Sequence, residues 1–147
     1  MSDRITIQTL HAPVVADLES INRLVLQLNS RYARVLTMKE LQNLLKLNTM
    51  FVARTESGLI VGIVLLNVSY VLTGSRAFLE NLVVDADFRQ RGIAKQLVQS
   101  VISEAKRLGV NTIKLSTGSE NVAANSLYQQ FGFELWTVNT YVLKLVA

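Results

Sequence analysis

The sequence has no cysteine, and a single histidine, His11, among 147 residues. The first absence excludes disulfides, thiolate nucleophiles and zinc–thiolate centres. The second leaves no partner set for a histidine-based metal site or a Ser-His-Asp triad, so His11 reads as a polar loop residue and no metal is expected. Proline is nearly absent as well. The only one, Pro13, stands where a helix would begin, a position at which a missing N–H costs little. No apolar run approaches a membrane span; the longest, residues 59–66, is interrupted by Gly62. The opening residues MSDRITIQTL carry a charge pair and no apolar leader core. The expectation is a cytoplasmic protein without a membrane partner. Charge of one sign is not concentrated either. Lys and Arg total 15 against 11 Asp and Glu, a formal net charge of +4. The cations are scattered, among them Arg31, Arg34, Arg89, Arg91, Lys106 and Arg107. A nucleic-acid binder calls for a basic stripe interleaved with aromatics, so no nucleic-acid partner is expected. An anionic small ligand remains compatible with the excess.

What is present suits one domain with a sizeable core. Residues 4–10 alternate, with Ile5, Ile7 and Thr9 on one face, the period of a half-buried strand. Val14, Leu18, Ile21, Val25 and Leu28 step by threes and fours and predict an amphipathic helix. Residues 31–36 read as a loop. Thr37 and Glu40 form a capping-box pattern opening a second helix with Leu41, Leu44, Leu45 and Leu47. Residues 50–54 and 59–72 predict a hairpin closed at Gly58, and Gly62 marks a bulge or a close backbone approach. Residues 76–84 predict a third strand; if it stays regular, Phe78, Glu80, Leu82 and Val84 share a face. From Gly92 the spacing Ala94, Leu97, Val98, Val101, Ile102, Ala105, Leu108 is helical, ending at Gly109. A strand at 111–117, a helix at 121–130 and two closing strands at 134–138 and 140–146 complete the chain. The expected fold class is α/β (α+β): a mixed, mostly antiparallel sheet of about seven strands flanked by four helices. The order is β-α-α-β-β-β-α-β-α-β-β, in one domain spanning residues 1–147.

The informative stretch is FLENLVVDADFRQRGIAKQLVQSVISEAKRLG, residues 78–109. It reads as a strand, a basic turn and a long helix. A helix start offers free N–H groups and the positive end of its dipole to an anion. Gly92 lets a phosphate approach the backbone, Ala94 is nearly as small, and Arg89, Arg91 and Lys95 add charge. The same window without a ligand is a tight turn with solvated arginines. Neither the P-loop pattern nor the dinucleotide fingerprint is present.

The pattern R-x-x-G-x-A at Arg89, Gly92 and Ala94 resembles the cofactor loop of the GNAT (GCN5-related N-acetyltransferase) superfamily. A second stretch, NVAANSLYQQFGF at residues 121–133, is similar to the N-x-x-A-x-x-[LF]-Y-x-x-x-G-F segment of that family, and the expected element order matches along the whole chain. The resemblance implies an N-acetyltransferase that moves an acetyl group from acetyl-CoA to a primary amine by direct attack, with no metal. It implies that the amides of residues 89–95 (Arg89, Gln90, Arg91, Gly92, Ile93, Ala94 and Lys95) hold the pyrophosphate. The strand end Leu82, Val83 and Val84 would pair with pantetheine and supply an oxyanion N–H. Asn121 would bond the cofactor, with Asn125 beside it. Tyr128 would protonate the departing thiolate, since a phenol holds its proton at neutral pH. Glu80 would be the base, its pKa raised by partial burial. Without the resemblance, Tyr128 reads as an amphipathic core residue, and Glu80 as a surface carboxylate or one paired with Arg76. A non-catalytic CoA-binding or regulatory module is the alternative. The acceptor pocket would draw on residues 14–47 and 134–146, with Arg31, Tyr32, Arg34, Trp136 and Tyr141. A small-molecule or peptide amine is the expected partner. The oligomeric state is left open, a homodimer being common in the family.

Overall fold

The protein is described by a computed structural model covering residues 3–28 and 34–146. It divides into two compact units, Met1–Leu115 and Ser116–Ala147. The first unit holds a five-stranded sheet in the order β1-β2-β3-β4-β5. The strands are β1 (Thr6–Thr9), β2 (Thr49–Arg54), β3 (Ile60–Val71), β4 (Gly74–Val84) and β5 (Ile113–Lys114). Neighbours from β1 to β4 are antiparallel, and β4 pairs with β5 in parallel. The helices are α1 (Val15–Leu28), α2 (Met38–Leu47), α3 (Ile93–Arg107) and, in the second unit, α4 (Val122–Gln130). The class and element order through α4 match expectation. The strand count does not: residues 134–146 form no strand, and the described residues give five strands rather than seven. Among the described residues, no helix is long and apolar enough to cross a membrane.

The helices form where the sequence terminates and caps them. Thr37 accepts from the Glu40 N–H at 3.2 Å while Glu40 accepts from the Thr37 N–H at 2.8 Å, so the capping box is closed. Helix α3 ends in a Schellman motif, with Val110 N–H on Ala105 O and Gly109 N–H on Lys106 O, both at 3.0 Å. Gly109 takes φ +75°, as the αL position demands.

The two faces of the sheet are covered differently. Ile93, Leu97, Val98, Val101 and Ala105 of α3 are buried, and α3 packs on β2, β3 and β4. Each large apolar side chain so buried is worth roughly 1.5–3 kcal/mol. An added Cβ at Gly62 would meet Leu97 Cδ1 at 3.1 Å and Ile93 Cγ2 at 3.2 Å, so this glycine is the close approach of α3 to the sheet. On the opposite face Ile63, Leu65 and Val83 join Met50, Val52, Ile21, Leu24 and Leu41 in one cluster with α1 and α2.

Helix α1 buries the middle of the expected face, with Ile21 in the cluster and Leu18 and Val25 packed against it. Val14 and Leu28 are exposed, while Asp17 and Ser20 are buried beside Ile21 and Leu24. Asp17 is held there by Arg54 Nη1, which donates to its Oδ1 at 2.7 Å, and by the Val14 N–H, which donates to its Oδ2 at 3.0 Å. Burial alone would push the Asp17 pKa up. Those hydrogen bonds and the Arg54 charge outweigh it and hold the carboxyl below its ordinary value. Leu47, expected inward, is exposed at the end of α2. The strand expected at 111–117 is reduced to Ile113–Lys114.

Candidate functional site

Strand β4 carries a bulge. Leu65 pairs with Glu80 and Ile63 with Val83, so Asn81 and Leu82 stand opposite the single residue Val64. Asn81 adopts φ +55°, a left-handed conformation that asparagine tolerates better than most residues. The bulge corrects the expectation of a regular strand. Glu80 and Val83, paired with Leu65 and Ile63, face the α1 and α2 side. Val84, paired with Gly62, faces α3. Glu80 is exposed, so the partial burial expected of it is not found.

The bulge also decides which backbone groups are free. Asp85 N–H donates to Val61 O at 2.8 Å, so Val83 and Asp85 turn their amides toward β3. By strand alternation Leu82 and Val84 turn theirs to the other edge. There β5 pairs only with Ala77 and Phe78. The last residues of β4 therefore present unladdered backbone groups, which seek a partner. Val83 differs from its two neighbours: it turns its amide toward β3 and its side chain into the core. The Val84 carbonyl accepts from Arg89 Nε at 3.1 Å, which leaves the Val84 N–H on that edge.

Beyond β4 the chain makes one 3₁₀ turn at Ala86–Phe88 and enters α3 through Gln90 (φ +62°) and Gly92 (φ +78°). Gly92 caps α3 with no side-chain hydrogen bond. The opening N–H groups of Ile93, Ala94 and Lys95 thus have no capping side chain. An added Cβ on Gly92 would meet nothing within 4 Å, so the ground before the helix start is open. Arg91 donates to Asp87 O at 3.3 Å and lies 4.9 Å over the Phe88 ring, while Lys95 is exposed. Ile93 contributes backbone only, its side chain being buried under α3. Diphosphate chemistry fits this cradle: a helix dipole, uncapped N–H groups and three cations.

The loop is held from behind. Asp85 is buried, accepts the Asp87 N–H at 2.9 Å, and receives Gln27 Nε2 and Arg23 Nη2 of α1, each at 3.4 Å. The Ala86 N–H donates to Gln27 Oε1 at 2.9 Å. These positioning residues were missed in the sequence. A polar Asp at the strand exit was their one local signal.

In the second unit, Asn121 is the N-cap of α4, its Oδ1 accepting from the Ala124 N–H at 3.2 Å. Asn125 Nδ2 donates to Gly118 O at 3.0 Å and Asn121 O at 2.7 Å. Both asparagines therefore shape the turn into α4. Tyr128 is 8% exposed, and burial raises its pKa above the usual phenol value. Helix α4 ends in a second Schellman motif, Gly132 N–H to Gln129 O at 3.0 Å and Phe133 N–H to Tyr128 O at 3.1 Å. The apolar contact that accompanies such caps is here Tyr128 against Phe133, ring centroids 5.7 Å apart and edge-to-face.

A family model described as "Acetyltransferase (GNAT) family" matches residues 20–133, from α1 through the Phe133 contact. The chain belongs to the GNAT acetyltransferase family. Among its relatives is the [ribosomal protein bS18]-alanine N-acetyltransferase of Salmonella typhimurium, 39% identical over 62 residues, 42% of this chain and 42% of that one. The chain thus matches less than half the length of this curated relative. Solved structures share the fold over nearly all of the chain. A Trypanosoma brucei acetyltransferase is 21% identical with TM-score 0.78, covering 96% of this chain and 100% of its own. The aminoglycoside N-acetyltransferase AAC(6')-Iy, solved in complex with CoA, is 23% identical with TM-score 0.76, covering 99% of this chain and 98% of its own. In this GNAT chain the first unit gathers Glu80, Leu82, Val84 and residues 89–95 on one strand–loop–helix. The second gathers Asn121, Asn125 and Tyr128 on α4. Arg31 and Tyr32 lie outside the described residues, and Arg34 pairs with Glu40 at 2.9 Å. Trp136 and Tyr141 fall in the strand-free segment. Among the described residues no group of three or more His, Cys, Asp or Glu could hold a metal.

Proposed function

We propose that the whole chain works as one cytoplasmic acetyltransferase domain transferring an acetyl group from acetyl-CoA to a primary amine, with no metal. One observation carries the reading: an uncapped α3 N-terminus follows directly on a β4 edge left open beside a bulge. The first suits a diphosphate and the second an extended chain of amides, the two chemistries CoA combines. When bound, acetyl-CoA supplies an activated thioester. The chain's own residues do the rest. The N–H groups of Gly92, Ile93, Ala94 and Lys95 hold the diphosphate, with Arg89 and Arg91 adding charge and fixing the loop. Leu82 and Val84 orient the pantetheine amides, and a β4 N–H faces the carbonyl oxygen under attack. Glu80 takes the amine's proton, directly or through water. Tyr128 gives its proton to the departing sulfur, and its raised pKa keeps that proton in place at neutral pH.

The direct test is isothermal titration with acetyl-CoA, followed by a CoA-release assay across an amine panel. Binding and amine-dependent release are expected; no binding overturns the reading. A second reading, a CoA-binding module without catalysis, has one observation in its favour. Glu80 is exposed and lacks the burial that tunes a general base. Tight binding with no release for any amine would establish that reading instead.

A further inference from the structure

The face of the sheet that holds Glu80 continues along β4 past the cluster under α1 and α2. In the regular part of the ladder Leu65 pairs with Glu80, Asn67 with Phe78 and Ser69 with Arg76. Paired residues share a face, so Glu80, Phe78 and Arg76 form one stripe, with Asn67 and Ser69 beside it. The stripe has an exposed carboxylate at one end, an aromatic ring in the middle and a guanidinium at the other end. The guanidinium lies 5.7 Å over the Phe78 ring. Asn67 is fixed by its Nδ2 bond to Asn48 Oδ1 at 2.9 Å.

Arg76 is the unusual member. Its Nε is buried and has no hydrogen-bond partner, and among the described residues it pairs with no carboxylate. A buried guanidinium donor without an acceptor is costly, and a bound anion removes that cost. Glu80 does not supply it. No ion pair joins the two; their Cα atoms stand four strand positions apart, roughly 13 Å at about 3.3 Å per residue, and the guanidinium reaches back over Phe78 to shorten that span.

We propose that this stripe is the acceptor subsite, and that the acceptor is an amine carrying a carboxylate or phosphate on the order of 10 Å from its nitrogen. Glu80 receives the ammonium end, Arg76 the anionic end, and Phe78 the apolar span between them. The assignment rests on the acetyltransferase reading and narrows it to a substrate class.

Glycine oligomers test it, since an extended peptide covers about 3.3–3.6 Å per residue. Triglycine and tetraglycine, each with its C-terminal amide as the matched neutral amine, are titrated calorimetrically into the protein saturated with CoA. The free acids are expected to bind about tenfold to a hundredfold more tightly than the amides, the worth of a hydrogen bond to a charged group. Diglycine is too short to show the difference. Arg76→Ala should collapse the acid-to-amide ratio toward one, and Arg76→Lys should restore part of it. Retained acetyl-CoA affinity in both variants shows that they are folded. Equal binding of acid and amide, binding of neither, or a preference that survives Arg76→Ala overturns the subsite. Failure of the wild-type chain to bind acetyl-CoA overturns the underlying function instead.

Discussion

An added methyl group tests Gly92 and Gly62 in opposite ways. At Gly92 the space is empty and the backbone is left-handed, so Gly92→Ala should cost about 1–2 kcal/mol from φ alone. A side chain there also intrudes where a diphosphate would approach. Acetyl-CoA affinity, read by calorimetry, should therefore fall further with Gly92→Val than with Gly92→Ala. At Gly62 an added Cβ meets Leu97 and Ile93, so Gly62→Ala should cost about 1–3 kcal/mol by overpacking. It should also shift α3 off the sheet. If Gly92→Val binds acetyl-CoA as the wild type does, the loop is not the anion cradle. Tyr128→Phe keeps the ring against Phe133 and removes only the hydroxyl. Turnover should drop on the order of a hundredfold or more, with acetyl-CoA affinity little changed. Because burial raises the Tyr128 pKa, the alkaline fall in kcat should lie above about pH 10 in the wild type and vanish in the variant. Unchanged turnover would place the acid elsewhere.

The element that decides the site is β4, and its decisive feature was only half legible. Periodicity located the strand, the helix after it and the Arg89–Ala94 turn, because each rests on local chemistry: apolar spacing, an uncapped glycine start, a glycine stop. The bulge at Asn81 depends on pairing with β3, which no local count reveals. Its trace in the sequence is slight: the polar pair Glu80-Asn81 between the apolar runs 77–79 and 82–84. The closing strands expected at 134–138 and 140–146 are absent, since a strand exists only with a ladder partner and none forms there. Asn121 and Asn125 matched a motif whose visible work is capping, a role that asparagine fills for any helix. The Gln27 and Asp85 contacts join residues 58 apart and were invisible to a scan along the chain. They predict that Gln27→Ala loosens the turn between β4 and α3, proposed above to hold the diphosphate, without touching a ligand. The loss of about 1 kcal/mol of hydrogen bonding should raise the KM for acetyl-CoA about fivefold, leaving kcat nearly intact. A fall in kcat at constant KM would contradict this.

At the scale of the first unit, α1 is fastened to the sheet near both of its ends. Gln27 and Arg23 reach Asp85 at the end of β4, and Asp17 reaches Arg54 on β2. The second fastening is an ion pair with both side chains largely covered, and it makes the fold sensitive to acid in a defined direction. The Asp17 pKa is depressed in the folded chain. Its contribution is therefore complete above the unfolded value of about 3.9 and is lost as pH falls through the folded value. Asp17→Asn leaves Arg54 facing a neutral amide and should cost about 3 kcal/mol at pH 7, within the range for breaking a covered pair. Below about pH 4 the unfolded chain takes up its proton first and the folded carboxyl follows at its lower value, so the gap between wild type and variant should narrow as the pH falls. Urea unfolding midpoints of both proteins at pH 7, 5 and 3 measure this. A gap that stays constant across the three pH values would mean that Asp17 acts by shape and capping of Val14 rather than by charge. The orientation of α1 would then rest on its apolar side chains, Leu18, Ile21, Leu24 and Val25.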